Sequence, residues 1–242
     1  MTKALNVHPE GCETTLNVTG INMQPPVEVQ NLCQRYLEKV RHAPEYELMD
    51  EDRLEIYLKF GHSLILNNST SIRLPDFTKA DFVLCWLAFL TAKKVSFICK
   101  RKSVFSEWDD TSEAEEVKNI LRAVQAYLNK RMTFDEANNV LQEHWFFYRP
   151  DITYDVLCAW RASMNVLEIT LFGKDYYVEL VPGFDTFTIQ AVEAYTVIDY
   201  NLPGEGDEDE PPIPLDYDIS KRLRFWEWWL IEAIPQAWEL VN

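Results

Sequence analysis

Two helix-start signals of the same kind fix the middle of this chain. Ser112 stands three positions before Glu115, and Thr133 stands three before Glu136. A hydroxyl and a carboxylate at that spacing satisfy each other's backbone N–H groups at a helix N-terminus. Behind the first pair, Val117, Ile120, Leu121, Val124, Tyr127 and Leu128 fall on one face, which predicts an amphipathic helix over 112–130. Behind the second, Phe134, Ala137, Val140 and Leu141 repeat the pattern. Thr78 with Asp81 marks a third start, ahead of an apolar helix over 79–92. From Val27, the residues Leu32, Cys33, Tyr36, Leu37 and Val40 recur at helical spacing, and Pro44 follows the end. Val156, Leu157, Trp160 and Met164 predict a further helix after Pro150.

Other stretches change period. Leu54, Ile56, Leu58 and Phe60 alternate with Glu55, Tyr57 and Lys59, the pattern of a half-buried strand, with a helix as the rival reading. "VSFIC" (95–99) reads as a short strand. Residues 166–181 read as a β-hairpin turning at Gly173-Lys174-Asp175, and 187–200 add a third strand rich in Thr, Val, Ile and aromatics. The sum is an α+β fold: a mostly helical first part, a small antiparallel sheet or hairpin towards the C-terminus, and a terminal helix. The expected organisation is a loosely ordered arm over 1–26 and a single domain over 27–200, with a subdivision near 150 as the alternative. An acidic, proline-rich spacer over 201–218 and a tryptophan-rich terminal helix over 219–242 complete it.

Charge narrows the function. Asp and Glu number 39 against 23 Lys and Arg, a net charge of −16. Residues 151–242 carry 18 acidic and 5 basic residues, so that part alone stands at −13. Such a surface repels phosphate backbones and anionic membranes and attracts basic partners. Direct nucleic-acid binding by the acidic half and membrane association are therefore not expected. The longest apolar run, 81–90, is too short to span a bilayer. Five cysteines (Cys12, Cys33, Cys85, Cys99 and Cys158) form no CxxC, and residues 1–15 lack an apolar leader, which points to a reduced, cytoplasmic protein.

Chemistry-bearing motifs do not emerge. Only 7 glycines occur, and none forms a phosphate loop, a GxGxxG or a GxSxG. The histidines His8, His42, His62 and His144 are far apart, with no ligand-pair spacing. His8, Glu10, Cys12 and Glu13 cluster in the arm, where nothing rigid would hold a metal. Cys158 with His144 is the one thiol–base pair to weigh, and its acidic, apolar surroundings favour core packing over reactivity. Glu116 and Lys118 read as solvated helix residues rather than nuclease groups. No catalytic, cofactor or metal residue is assigned.

Two features point to binding. Glu205, Asp207, Glu208, Asp209 and Glu210 lie among prolines, a composition that extends a chain. The helix behind them, N-capped by Ser220 and stopped before Pro235, gathers Leu223, Phe225, Trp226, Trp229, Leu230 and Ala233 on one arc and leaves Trp228 and Ile231 off it. These two are either covered by another element or part of a contact surface. Against the acidic background stands one basic patch, Lys93, Lys94, Lys100, Arg101 and Lys102 with Phe97. It reads as a solvated helix end, a binder of single strands or acidic segments, or a receiver of the chain's own carboxylates. The expected function is a non-enzymatic acidic interaction protein, an inhibitor or regulator of a basic, nucleic-acid-handling or toxin partner. A divergent carboxylate-based hydrolase or nuclease, and an assembly subunit that oligomerises through the terminal helix, are the rivals.

Overall fold

The computed structural model describes residues 24–61, 77–100, 112–144, 152–172, 186–201 and 213–241. In chain order, α1 (Val27–His42) and α2 (Asp50–Lys59) precede α3 (Lys79–Val95), which a 3-10 turn, Ser96–Lys100, extends. Next come α4 (Ser112–Leu128), α5 (Phe134–His144), α6 (Tyr154–Phe172) and α7 (Thr186–Thr196). β1 (Val197–Asn201) pairs antiparallel with β2 (Ile213–Tyr217), Asn201 opposite Ile213 and Val197 opposite Tyr217. The last segment is continuously helical: α8 (Ile219–Trp228), a π turn (Trp229–Ala233) and α9 (Ile234–Leu240). The fold is α+β, mostly helical, with one small antiparallel sheet and a C-terminal helix.

Two of the three expected helix starts, at α3 and α5, form as their residues dictate; the side chain of Ser112 lies outside the described residues. At α3, the Asp81 N–H donates to Thr78 Oγ1 at 3.3 Å and the Thr78 N–H donates to Asp81 Oδ2 at 2.7 Å. At α5, the Glu136 N–H donates to Thr133 Oγ1 at 3.3 Å and Glu136 accepts the Thr133 N–H at 2.8 Å. α1 and α2 pack together with Lys39 bridged to Asp52 and Arg35 to Glu55, each at 2.7 Å.

α3 and α6 are buried on almost every side, the condition of a helix that carries apolar residues all round. Their hydroxyls are met within the helix: Thr91 donates to the Leu87 carbonyl at 2.7 Å and Ser163 to the Ala159 carbonyl at 3.0 Å. α6 packs on α3, α4 and α7, and one continuous apolar cluster runs from Val29 to Trp238. The 3-10 turn lengthens the apolar run of α3, so Lys79–Lys100 is long and apolar enough to cross a membrane; 72% of that window is buried inside the protein.

Several sequence expectations are corrected. Residues 54–60 are not a strand but lie in α2 and its C-terminal turn. The buried set is Asp52, Arg53, Ile56, Tyr57 and Phe60, whereas Leu58 is exposed. Three acidic residues in its first turn, Asp50, Glu51 and Asp52, favour a helix N-terminus. "VSFIC" is the end of α3 and the 3-10 turn. The first strand of the expected hairpin is the last turns of α6, and its turn at 173–175 lies outside the described residues. Of the third strand only Val197 onward is extended; 187–196 are helical despite their β-favouring composition, which tertiary packing overrides. Part of the expected spacer, Ile213–Tyr217, forms β2.

The N-cap of α8 is Asp218, not Ser220. Asp218 Oδ1 accepts the Lys221 N–H at 3.0 Å and the Ser220 hydroxyl at 2.6 Å. Nor does Pro235 stop the helix. Proline has no N–H to give to the carbonyl four residues back and its ring crowds that carbonyl. The π turn accommodates it: the Ile234 N–H bonds back five residues to the Trp229 carbonyl.

Cys33, Cys85, Cys99 and Cys158 are buried free thiols, each pushed up to about 12 by burial. Cys158 is fully enclosed and is not a nucleophile in reach of a substrate. A Cys12→Ser variant is expected to react with a thiol reagent such as DTNB only after denaturation, releasing all four thiols together. Rapid labelling of any of them at neutral pH in the native state would contradict this packing.

Candidate partner-binding site

The connection between α1 and α2 carries Glu45 and Glu47 and runs into the acidic first turn of α2. The fold sets this stretch against α7 and α8. Glu47, Asp50, Glu51 and Glu193 surround a cleft of about 260 Å³, with Leu48, Val192 and Trp226 beneath them. The one cation in the lining is Arg53.

Arg53 is already committed within the protein. It is buried, donates to the Leu48 carbonyl and to Asp50 Oδ1, and lies over the Trp226 ring at 5.5 Å. A second guanidinium, that of Arg222, braces the cleft from behind. It stacks on the Tyr217 ring at 4.7 Å and approaches Glu47 Oε2 to 3.4 Å.

Glu193 is held by two phenols. Its Oε2 accepts from the Tyr217 hydroxyl at 2.7 Å and from the Tyr154 hydroxyl at 3.2 Å. Burial pushes both phenols above their ordinary range, with the Glu193 charge acting in the same direction, so both remain donors at neutral pH. Burial also raises the Glu47 carboxyl above its ordinary value, and Arg222 and Arg53 offset that only in part. The result is an anion cage with an apolar floor. It suits a lysine or arginine side chain, whose stem packs on Leu48 and Val192 while its charge meets the carboxylates. No group of three or more His, Cys, Asp or Glu placed to hold a metal ion occurs among the described residues. No protein-family model matches the chain, and no curated protein matches it in sequence.

The residues singled out from the sequence fall elsewhere. Glu205, Asp207, Glu208, Asp209 and Glu210 lie outside the described residues, as do Arg101 and Lys102. Trp228 is half-buried, edge-on to Phe225 at 5.6 Å, with the Lys94 ammonium 4.7 Å from its ring centre. Ile231, with 46% of its surface exposed, stays on the solvent side. Trp228 is thus partly covered by its own chain, and Ile231 is bare. Lys93 and Lys100 face α4 across a groove, away from the acidic cleft's lining.

Sequence spacing singles out none of Glu47, Asp50, Glu51 and Glu193. One signal was present: Glu193 is the sole charged residue of α7. A lone charge in an apolar helix needs a partner or a cleft.

Proposed function

We propose that this chain is a non-enzymatic acidic interaction protein that seats a basic side chain of a partner protein in the cleft of Glu47, Asp50, Glu51 and Glu193. The observation that carries this reading is the charge imbalance of the cleft: four carboxylates against two guanidiniums, Arg53 on Asp50 and Arg222 on Glu47, a surplus of two negative charges. The net charge of −16 steers a basic partner towards it, and the apolar floor prolongs the contact. Inhibition or regulation of a nucleic-acid-handling enzyme or a toxin fits such a surface. The four unpaired thiols fit a reducing, cytoplasmic setting.

A pull-down from host extract with the intact chain tests this against a Glu47→Gln/Glu51→Gln variant. The variant is expected to lose the captured partner, and moderate salt is expected to weaken capture by the wild type. Equal capture by both proteins, or capture indifferent to salt, overturns the reading. Acidification gives a second check. Protonation of Glu47 removes one of the carboxylates, so affinity falls as pH drops through its raised value, beginning above the ordinary 4.5. A profile that breaks only below that value would exclude Glu47 from the site.

One observation favours a second reading, a carboxylate-based hydrolase: a carboxyl with raised proton affinity lines a cleft. Turnover of a substrate that Glu47→Gln abolishes, with no partner captured, would select it.

A further inference from the structure

The basic patch of α3 gains a second side in the folded chain. Lys93 and Lys100 lie on one stripe of α3 and its 3-10 turn, and Lys118 and Arg122 lie on the facing stripe of α4. Together they line a groove of about 360 Å³ floored by the buried Phe89, Val117 and Leu121. Lys94 is not part of it, being engaged over Trp228.

Among the described residues these cations are poorly matched. Lys118 bridges Glu115 at 2.7 Å, and Glu115 is the one carboxylate of the lining. Among the described residues no carboxylate comes within 4.0 Å of Lys93, Lys100 or Arg122. Arg122 reaches only the Asn119 side-chain oxygen at 3.5 Å, and Lys93 rests over the Phe89 ring at 5.6 Å. An acidic protein has thus gathered surplus positive charge around one apolar-floored groove.

The charges form a row, not a point. Lys93 to Lys100 covers about 11 Å at roughly 1.5 Å per residue, the span of about three extended residues. A single small anion uses one or two such cations; a run of carboxylates uses all four. A nucleic-acid strand matches less well. Its backbone continues past the groove into the field of a molecule of net charge −16, and Phe97, the exposed aromatic nearby, is not among the lining residues on which a base would stack.

We propose that the groove between α3 and α4 binds an extended acidic peptide segment of a partner protein. Its carboxylates meet Lys93, Lys100, Lys118 and Arg122, and its interspersed apolar side chains rest on Phe89, Val117 and Leu121. This site stands independently of the acidic cleft.

Fluorescence anisotropy on the intact chain tests it, with a labelled peptide Glu-Asp-Leu-Glu-Asp-Leu-Glu, its Gln/Asn counterpart and a labelled oligothymidine as probes. The acidic peptide is expected to bind, and Lys100→Gln/Arg122→Gln is expected to weaken it roughly tenfold. Lys94→Gln is expected to leave it unchanged, and the neutral peptide not to bind. All three substituted side chains are on the surface or only partly buried, so the fold is retained. Failure of the acidic peptide to bind, or equal binding by the double variant or of the neutral peptide, overturns the proposal. So does tighter binding of oligothymidine that the double variant abolishes, which would make the groove a nucleic-acid site.

Discussion

Trp229→Ala is expected to lower the unfolding free energy by about 3–5 kcal/mol, seen as a fall in the urea midpoint at unchanged slope. Trp229 has no exposed surface, and its indole N–H donates to Thr91 Oγ1 at 3.2 Å. Its ring meets Tyr57 edge-on at 6.0 Å and Trp226 at 5.8 Å, so it ties α2, α3 and α8 together. Removing it leaves a cavity that three helices would have to close. Typical domains hold only about 5–15 kcal/mol in total, so the variant sits near the edge of folding. Trp229→Phe keeps much of the ring volume and loses the hydrogen bond, and is expected to cost less. Trp228→Ala supplies the comparison, since that ring is half-buried. A larger loss for Trp228→Ala than for Trp229→Ala would mean that the core is not arranged around Trp229.

Ending the chain after Asp218 has the larger effect: no cooperative unfolding transition is expected. The deletion removes Phe225, Trp226, Trp229, Leu230, Ile234 and Trp238, each buried. At about 1.5–3 kcal/mol for each large apolar side chain, their sum of about 9–18 kcal/mol is as large as the whole stability of an ordinary domain, about 5–15 kcal/mol. It also bares the faces of α1, α3 and α7 on which the segment packs. A truncated chain that still unfolds cooperatively, within a few degrees of the full one, would show that the terminal helix is an appendage. The practical outcome is that a partner of this protein should be mapped by surface substitutions such as those at Glu47 and Glu51. Loss of binding on truncation would report loss of the fold.

What the sequence made legible was local. Thr78–Asp81 and Thr133–Glu136 are contacts within one turn, and their spacing alone specifies them. α2 was obscured because two apolar patterns share the same residues. The true face includes Arg53, a charge at a core position, whose burial the Leu48 carbonyl, Asp50 and the Trp226 ring help make tolerable. The second half of α6, from Val166, was obscured for the opposite reason: buried on all sides, it has no polar face from which a period could be read. The acidic cleft draws on three separated stretches, so no spacing announces it. The basic groove was half visible. Lys93 and Lys100 stand out in the sequence, while Lys118 and Arg122 join them only through the packing of α3 on α4.

The terminal segment has an internal regularity. Its buried residues step by four: Phe225, Trp229, Ala233 and Ala237 in one row, Trp226, Leu230, Ile234 and Trp238 beside it. A regular α-helix would wind such rows slowly around its axis, because its turn holds only about 3.6 residues. The wider turn at Trp229–Ala233 takes up part of the difference and keeps both rows on the protein. This segment is therefore tolerant of exchange among apolar side chains of similar size, and intolerant of a change in length. One residue gained or lost there swings the buried residues behind it, Ile234, Ala237 and Trp238, off their seats. Insertions and deletions, more than substitutions, set the limits within which this ending can vary.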